Sequence, residues 1–277
     1  MNVKEFRISK LLNPKSGKAV IIPVDHGLVM GNVKGLSDPI ETLKSLIDLK
    51  IDGTLISPGI AKITLDLFVT RDTPARILTA DLPLLSNVPG ETREVIGHEI
   101  ISTVEFAIKY GFDAVKVLLP WGEAEGIQME SIKTVVHLSN ECDHWDIPLM
   151  VEPVLWGSAI PAEKKSDPEL IEHGARMALE IGADILKIPY TGDQKKFEDL
   201  VKRLKVPIFV LGGPRMKNVE DILKIAEESI RAGAKGIVFG RNVWQNPKMH
   251  DIVRALQDIV HKNIEADEAA GKYGLES

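Results

Sequence analysis

A lysine interrupts an apolar run at Gly182-Ala183-Asp184-Ile185-Leu186-Lys187-Ile188-Pro189-Tyr190-Thr191-Gly192-Asp193, whose neighbours otherwise read as a buried strand. Burial disfavours the charged form of an amine and lowers its pKa. A neutral amine condenses with a carbonyl to give a Schiff base, so Lys187 is a candidate for that chemistry. The plainer reading is a strand-edge lysine that snorkels to water. Three more ionisable residues stand in similar surroundings. Asp25 closes Val20-Ile21-Ile22-Pro23-Val24, Lys116 interrupts Ala114-Val115-Lys116-Val117-Leu118, and Glu152 closes Leu149-Met150-Val151. Pointing into one pocket, the four must pair, because unpaired buried charge is costly. A protonated Lys116 near Lys187 favours neutral Lys187, while Asp25 and Glu152 balance the cation and move protons on and off substrate hydroxyls. A buried ion network that only supports the fold is the competing reading.

Two glycine loops have a separate logic. Gly212-Gly213-Pro214 follows the apolar run Val206–Leu211, and Gly240-Arg241-Asn242 follows Gly236–Phe239. Glycine permits close backbone approach, and an arginine beside free amides suits a phosphate. A Gly-Gly pair alone is more often a turn. The histidines, His26, His98, His137, His144, His173, His250 and His261, show no close pair at metal-ligand spacing, so no metal and no cofactor are expected. Most of them fall on expected helices as surface residues. His26, beside Asp25, either contacts substrate or satisfies a loop carbonyl. Trp121 and Trp156 either wall the pocket or simply pack.

The elements that must position these groups alternate. Apolar runs without polar alternation read as strands at Ala19 to Val24, Gly53 to Ser57, Arg76 to Ala80, Asp113 to Leu119, Ile147 to Glu152, Asp184 to Pro189, Val206 to Leu211 and Gly236 to Gly240. Between most of them lie amphipathic helical stretches: 40–49, 91–110, 127–142, 168–181, 195–204 and 219–232. Even-numbered strands are mostly entered through glycine-bearing turns and strands three, five and seven through Thr73-Pro74, Ile147-Pro148 and Val206-Pro207. Eight βα units with alternating entries predict an α/β fold, a single (β/α)8 TIM barrel, near the usual length of about 250 residues. We expect one domain over 1–277, with an N-terminal extension at 1–18 and a C-terminal helical tail at 249–277. Within that tail, 265–277 either packs on a neighbouring subunit or frays. In such a barrel the chemistry collects at the C-terminal ends of the strands, where all the candidates above lie.

A net charge of -6 without a basic run argues against a nucleic-acid partner. The single cysteine, Cys142, excludes an internal disulfide framework and reads as a buried bystander. No apolar run approaches the ~18 residues of a membrane span, and the start carries no signal core, so a cytoplasmic location away from membranes is expected.

Val24-Asp25-His26-Gly27, Asp184–Asp193, Leu211-Gly212-Gly213-Pro214 and Gly240-Arg241-Asn242-Val243-Trp244-Gln245 together resemble the DeoC/LacD-type class I aldolases, including archaeal-type fructose-bisphosphate aldolase, over nearly the whole chain. The resemblance implies a metal-free (β/α)8 enzyme with Lys187 as the Schiff-base lysine and Asp25 in acid/base work. It further implies a phosphorylated ketose held by Gly212, Gly213, Gly240 and Arg241, and a homo-oligomer. The chain departs from the archaeal type after strand five, where that type has an acid/base tyrosine and this chain reads Met150–Trp156. Its Lys116 and Val151-Glu152-Pro153 segments look like tagatose-bisphosphate aldolase, and its ends look like the thiolase of autoinducer-2 catabolism. A thiolase- or transaldolase-type transferase and a non-catalytic sugar-phosphate-binding regulator are the alternatives. The regulator has no use for Lys187, Asp25, Lys116 and Glu152 together.

Overall fold

In the computed structural model, which describes residues 2–70, 72–85 and 95–276, eight parallel strands close into a barrel. The strands are β1 (Ala19–Ile21), β2 (Gly53–Ile56), β3 (Ala75–Thr79), β6 (Ala114–Pro120), β7 (Leu149–Val154), β8 (Ile185–Pro189), β9 (Ile208–Leu211) and β10 (Gly236–Val238), after a numbering that leaves β4 (Asp81–Leu85) and β5 (Val95–Ile100) for an antiparallel hairpin. Each strand pairs with its neighbour around the ring, and β1 closes on β10 through Ala19↔Gly236 and Val20↔Ile237. The chain is therefore a TIM barrel, and its unalternated strands are apolar because helices cover one face while the other fills the barrel interior.

The hairpin corrects the sequence reading. A helix over 91–110 is expected from spacing, but Val95–Ile100 pairs antiparallel with Asp81–Leu85, and the helix is confined to Val104–Lys109. Residues 91–94 of that expectation lie outside the described residues. The segment buries Val95 and His98, a spacing of three that imitates a helix. The neighbouring strand supplies the ladder that decides the conformation.

Alternation along the strands sends one set of side chains inward. Ala19, Ile21, Leu55, Ala75, Ile77, Ala114, Met150, Ile185, Phe209 and Val238 form a buried cluster inside the barrel, and Leu11, Ile8 and Leu12, at and beyond the end of the N-terminal helix Val3–Lys10, cap it. This apolar plug closes the N-terminal end. The C-terminal tail is helical and does not fray: helix Ala266–Tyr273 packs on its own chain, burying Ala266, Ala269 and Ala270, with Leu275 beyond it. Buried Asp258 anchors it. Desolvation would raise this carboxyl, but hydrogen bonds from Lys262, Lys272 and Tyr273 outweigh that and hold it down at about 2. Cys142 is fully buried, and burial pushes its thiol up. Among the described residues no helix is long and apolar enough to cross a membrane.

Candidate active site

The alternation that builds the plug also builds the site. Two residues beyond Ile185 is Lys187, beyond Met150 is Glu152, and beyond Ala114 is Lys116; four beyond Ile21 is Asp25. With a period of two, these side chains form a polar layer directly above the apolar one. From β3 into the start of β4, the same count from Ala75 and Ile77 gives Thr79 and then Asp81.

Glu152 is the hub. One oxygen, Oε2, lies 2.9 Å from Lys187 Nζ and 3.1 Å from Lys116 Nζ. Asp25 accepts a 2.7 Å hydrogen bond from Thr79 Oγ1 and lies 3.4 Å from His26 Nδ1. Behind Lys116, at 4.0 Å, stands Asp81, whose Oδ2 accepts from His98 Nε2 at 2.8 Å and from the Leu118 amide at 2.9 Å. Burial alone would raise every one of these carboxyls. For Glu152, Lys187 and Lys116 outweigh it and hold the group below the ordinary range. His26, Lys116 and Lys187 do the same for Asp25, and Lys116, His98 and the Leu118 amide for Asp81. Burial disfavours the Lys116 ammonium, yet Glu152, Asp81 and Asp25 overcome that and hold it well above the usual lysine range. Lys187 thus lies beside a carboxylate, and the charges are paired as the cost of burial requires.

The layer opens into a cavity of about 570 Å³, on whose wall lie Lys187, Glu152, His26, Gly212, Gly213, Gly240 and Arg241. Asp25 and Lys116 sit behind this wall, touching it through His26 and Glu152. Trp156 lines the cavity, whereas Trp121 is half-buried against the core. The two glycine loops are tied together by Asn242, whose Nδ2 donates to Gly212 O (2.9 Å) and Pro214 O (3.1 Å) and whose Oδ1 accepts from the Met216 amide (2.8 Å). A side chain at Gly240 would meet His26 Cε1 at 2.7 Å, and Gly213 has φ +65°, so both positions favour glycine. Burial lowers the Arg241 guanidinium against the opposing charge of Glu152, and its buried Nε has no hydrogen-bond partner among the described residues.

Sequence reasoning missed Thr79, Asp81 and His98. His98 is not a surface histidine on a helix; it is buried in the hairpin against Asp81. The readable signal was Thr79-Ala80-Asp81 at the end of an expected strand, continuing the inward count. Among the described residues no group of three or more His, Cys, Asp or Glu is arranged to hold a metal ion.

Comparison with known proteins follows the same lines. The profile described as DeoC/LacD family aldolase matches residues 19–246. An uncharacterized aldolase of Saccharolobus solfataricus is 32% identical over 269 residues, covering 96% of this chain and 97% of that protein. 2-Amino-3,7-dideoxy-D-threo-hept-6-ulosonate synthase 1 of Archaeoglobus fulgidus is 33% identical over 269 residues, covering 96% and 94%. Among solved structures, an archaeal fructose-1,6-bisphosphate aldolase with its catalytic lysine covalently bound to the carbinolamine intermediate superposes with a TM-score of 0.79 at 30% identity, covering 94% of this chain and 100% of that one.

Proposed function

The chain belongs to the DeoC/LacD aldolase family and is a carbon-carbon lyase, and we propose that it makes or breaks that bond in a phosphorylated ketose through a Schiff base on Lys187. The observation that carries this reading is the Lys187 amine, 2.9 Å from a carboxylate on the wall of a cavity that also contains the glycine loops and Arg241. A ketone carbon placed against Nζ is attacked as a proton passes from nitrogen to Glu152 Oε2. Glu152 returns that proton to the carbinolamine oxygen and then relays a second proton from the nitrogen to the same oxygen, which leaves as water, and an iminium remains. The iminium withdraws the electrons of the carbon-carbon bond two atoms away, while Glu152 takes the proton of the hydroxyl on the departing carbon. The resulting enamine is protonated and hydrolysed, which frees Lys187. Asp25 and Lys116, behind the wall, keep the charges of the layer balanced through these transfers. Glu152 occupies the contact with the nucleophile and so supplies an acid/base group where the strand carries no tyrosine.

The phosphate of the substrate fits against Gly212, Gly213, Gly240 and the Nε of Arg241, which has no partner among the described residues. Arg241→Met is expected to raise KM for a ketose phosphate about 10- to 100-fold, the worth of one charge-assisted hydrogen bond set. The KM of the corresponding unphosphorylated ketose should stay put, so the ratio of the two is the measurement. The similarity to the A. fulgidus synthase favours a second reading, in which the lysine-bound fragment passes to an acceptor aldehyde. A screen of phosphorylated ketoses and sulfo-sugars with borohydride, followed by peptide mass analysis, tests the main reading. A reduced adduct on Lys187 is expected; its absence with every ketose would overturn the proposal. Supplying acceptor aldehydes and identifying the product separates cleavage from transfer.

A further inference from the structure

Asp81 is built in an unusual way. Its side chain is fully buried and does not line the cavity, yet among the described residues only one of its oxygens takes a hydrogen bond. Oδ2 takes both donors, His98 Nε2 at 2.8 Å and the Leu118 amide at 2.9 Å. Oδ1 is buried, has no hydrogen-bond partner among the described residues, and faces Lys116 Nζ at 4.0 Å. Leaving a buried carboxylate oxygen unpaired is costly, and such atoms usually have a reason. Here the cation that could pair with it is engaged 3.1 Å away, on Glu152 Oε2.

We propose that Asp81, clamped by His98, is a positioning residue that receives the Lys116 ammonium when Glu152 takes up a proton. This rests on the reading of Lys187 as the Schiff-base lysine. Formation of the iminium requires Glu152 Oε2 to accept the proton that leaves Lys187, but that same oxygen also accepts from Lys116. A cation on the lone pair that must bind a proton opposes the transfer. Moving Nζ by about 1 Å, from 4.0 Å to an ordinary hydrogen-bond distance of ~2.9 Å, satisfies Oδ1 of Asp81 and frees Glu152. When Glu152 returns its proton to the carbinolamine, Lys116 swings back. No proton changes hands between Lys116 and Asp81; the ammonium alternates between two carboxylates. The two-donor clamp on Oδ2 gives the receiving oxygen a fixed place. The charged and titratable groups facing this step are Lys187, Lys116, Asp25 and Arg241 around Glu152, and His98 with Lys116 around Asp81.

The test follows the initial rate of cyanoborohydride trapping of dihydroxyacetone phosphate on Lys187 against pH. In Asp81→Asn, Lys116 stays on Glu152 and one negative charge is lost nearby; both effects make Glu152 harder to protonate. The acidic limb is expected to move about one pH unit lower, and the plateau rate to fall roughly tenfold, while the adduct still forms on Lys187. A folded Asp81→Asn protein with the parent's limb and rate overturns the inference. Should Asp81→Asn not fold, His98→Phe and His98→Gln decide. Glutamine keeps a donor for Oδ2 and should keep the limb in place, whereas phenylalanine removes it and should shift the limb in the same direction by less. Identical limbs in the two His98 variants overturn the proposal. A parent that forms no adduct on Lys187 with any ketose phosphate instead refutes the Schiff-base reading beneath it.

Discussion

Lys187→Met should abolish both the borohydride adduct and turnover, lowering the rate at least about 10⁴-fold, the scale on which loss of a covalent nucleophile is felt. Methionine fills nearly the same space and leaves Glu152 paired with Lys116 at 3.1 Å, so the barrel is expected to keep its circular dichroism spectrum and its cooperative melt. The same measurement on Lys116→Met provides the contrast. That variant loses a charge behind the wall and retains the nucleophile, so an adduct on Lys187 should still form, more slowly. A trapped adduct in Lys187→Met, on Lys116 or elsewhere, would reassign the nucleophile.

Glu152→Gln is expected to combine a large kinetic effect with a large structural one. The rate should drop about 10²- to 10⁴-fold for loss of the acid/base group. Stability should fall by about 3–5 kcal/mol, because removing one member of a buried ionic cluster leaves its partners uncompensated. Here two lysines lose the carboxylate charge they share. The pH dependence has a definite sign. Glu152, Asp25 and Asp81 have folded values below their unfolded ones of 4.5, 3.8 and 3.8, so their contribution is present above about pH 4.5 and is lost as pH falls through the folded values. Lys116 acts in the opposite sense. Its folded value is raised above 10.5, so its contribution is complete below that pH and disappears only as pH rises through the folded value. Thermal melts between pH 7 and 3 should therefore show the parent losing stability steeply on the acid side and Glu152→Gln losing less, having one depressed carboxyl fewer. Equal slopes would mean that Glu152 is not held in the carboxylate form by the fold.

The barrel was legible because parallel strands covered on both faces leave runs with no polar alternation, and a single lysine in such a run is conspicuous. Lys187, Lys116 and Glu152 all announced themselves this way. The hairpin was not legible: Val95 and His98 are spaced like one face of a helix, and only the partner strand Asp81–Leu85 makes them a ladder. That misreading cost the site its innermost pair, since His98 read as a helix-surface histidine removes any reason to look at Asp81. The C-terminal segment misled in another way. Its polar composition suggested a tail that frays or packs on a neighbouring subunit, whereas three small alanines and Leu275 provide a face buried on its own chain and Asp258 the anchor. The pairing of Lys116 and Lys187 on one oxygen lies beyond any sequence argument, since it depends on the stagger of three strands around a closed ring.

Asn242 commits all three of its hydrogen bonds to the chain around Gly212, Pro214 and Met216, at no point turning toward the cavity. A receptacle bolted in this way is finished before any guest arrives. Its amide hydrogens should already resist exchange with heavy water in the empty protein, and the entropy of ordering that loop is settled during folding instead of being levied on each catalytic cycle.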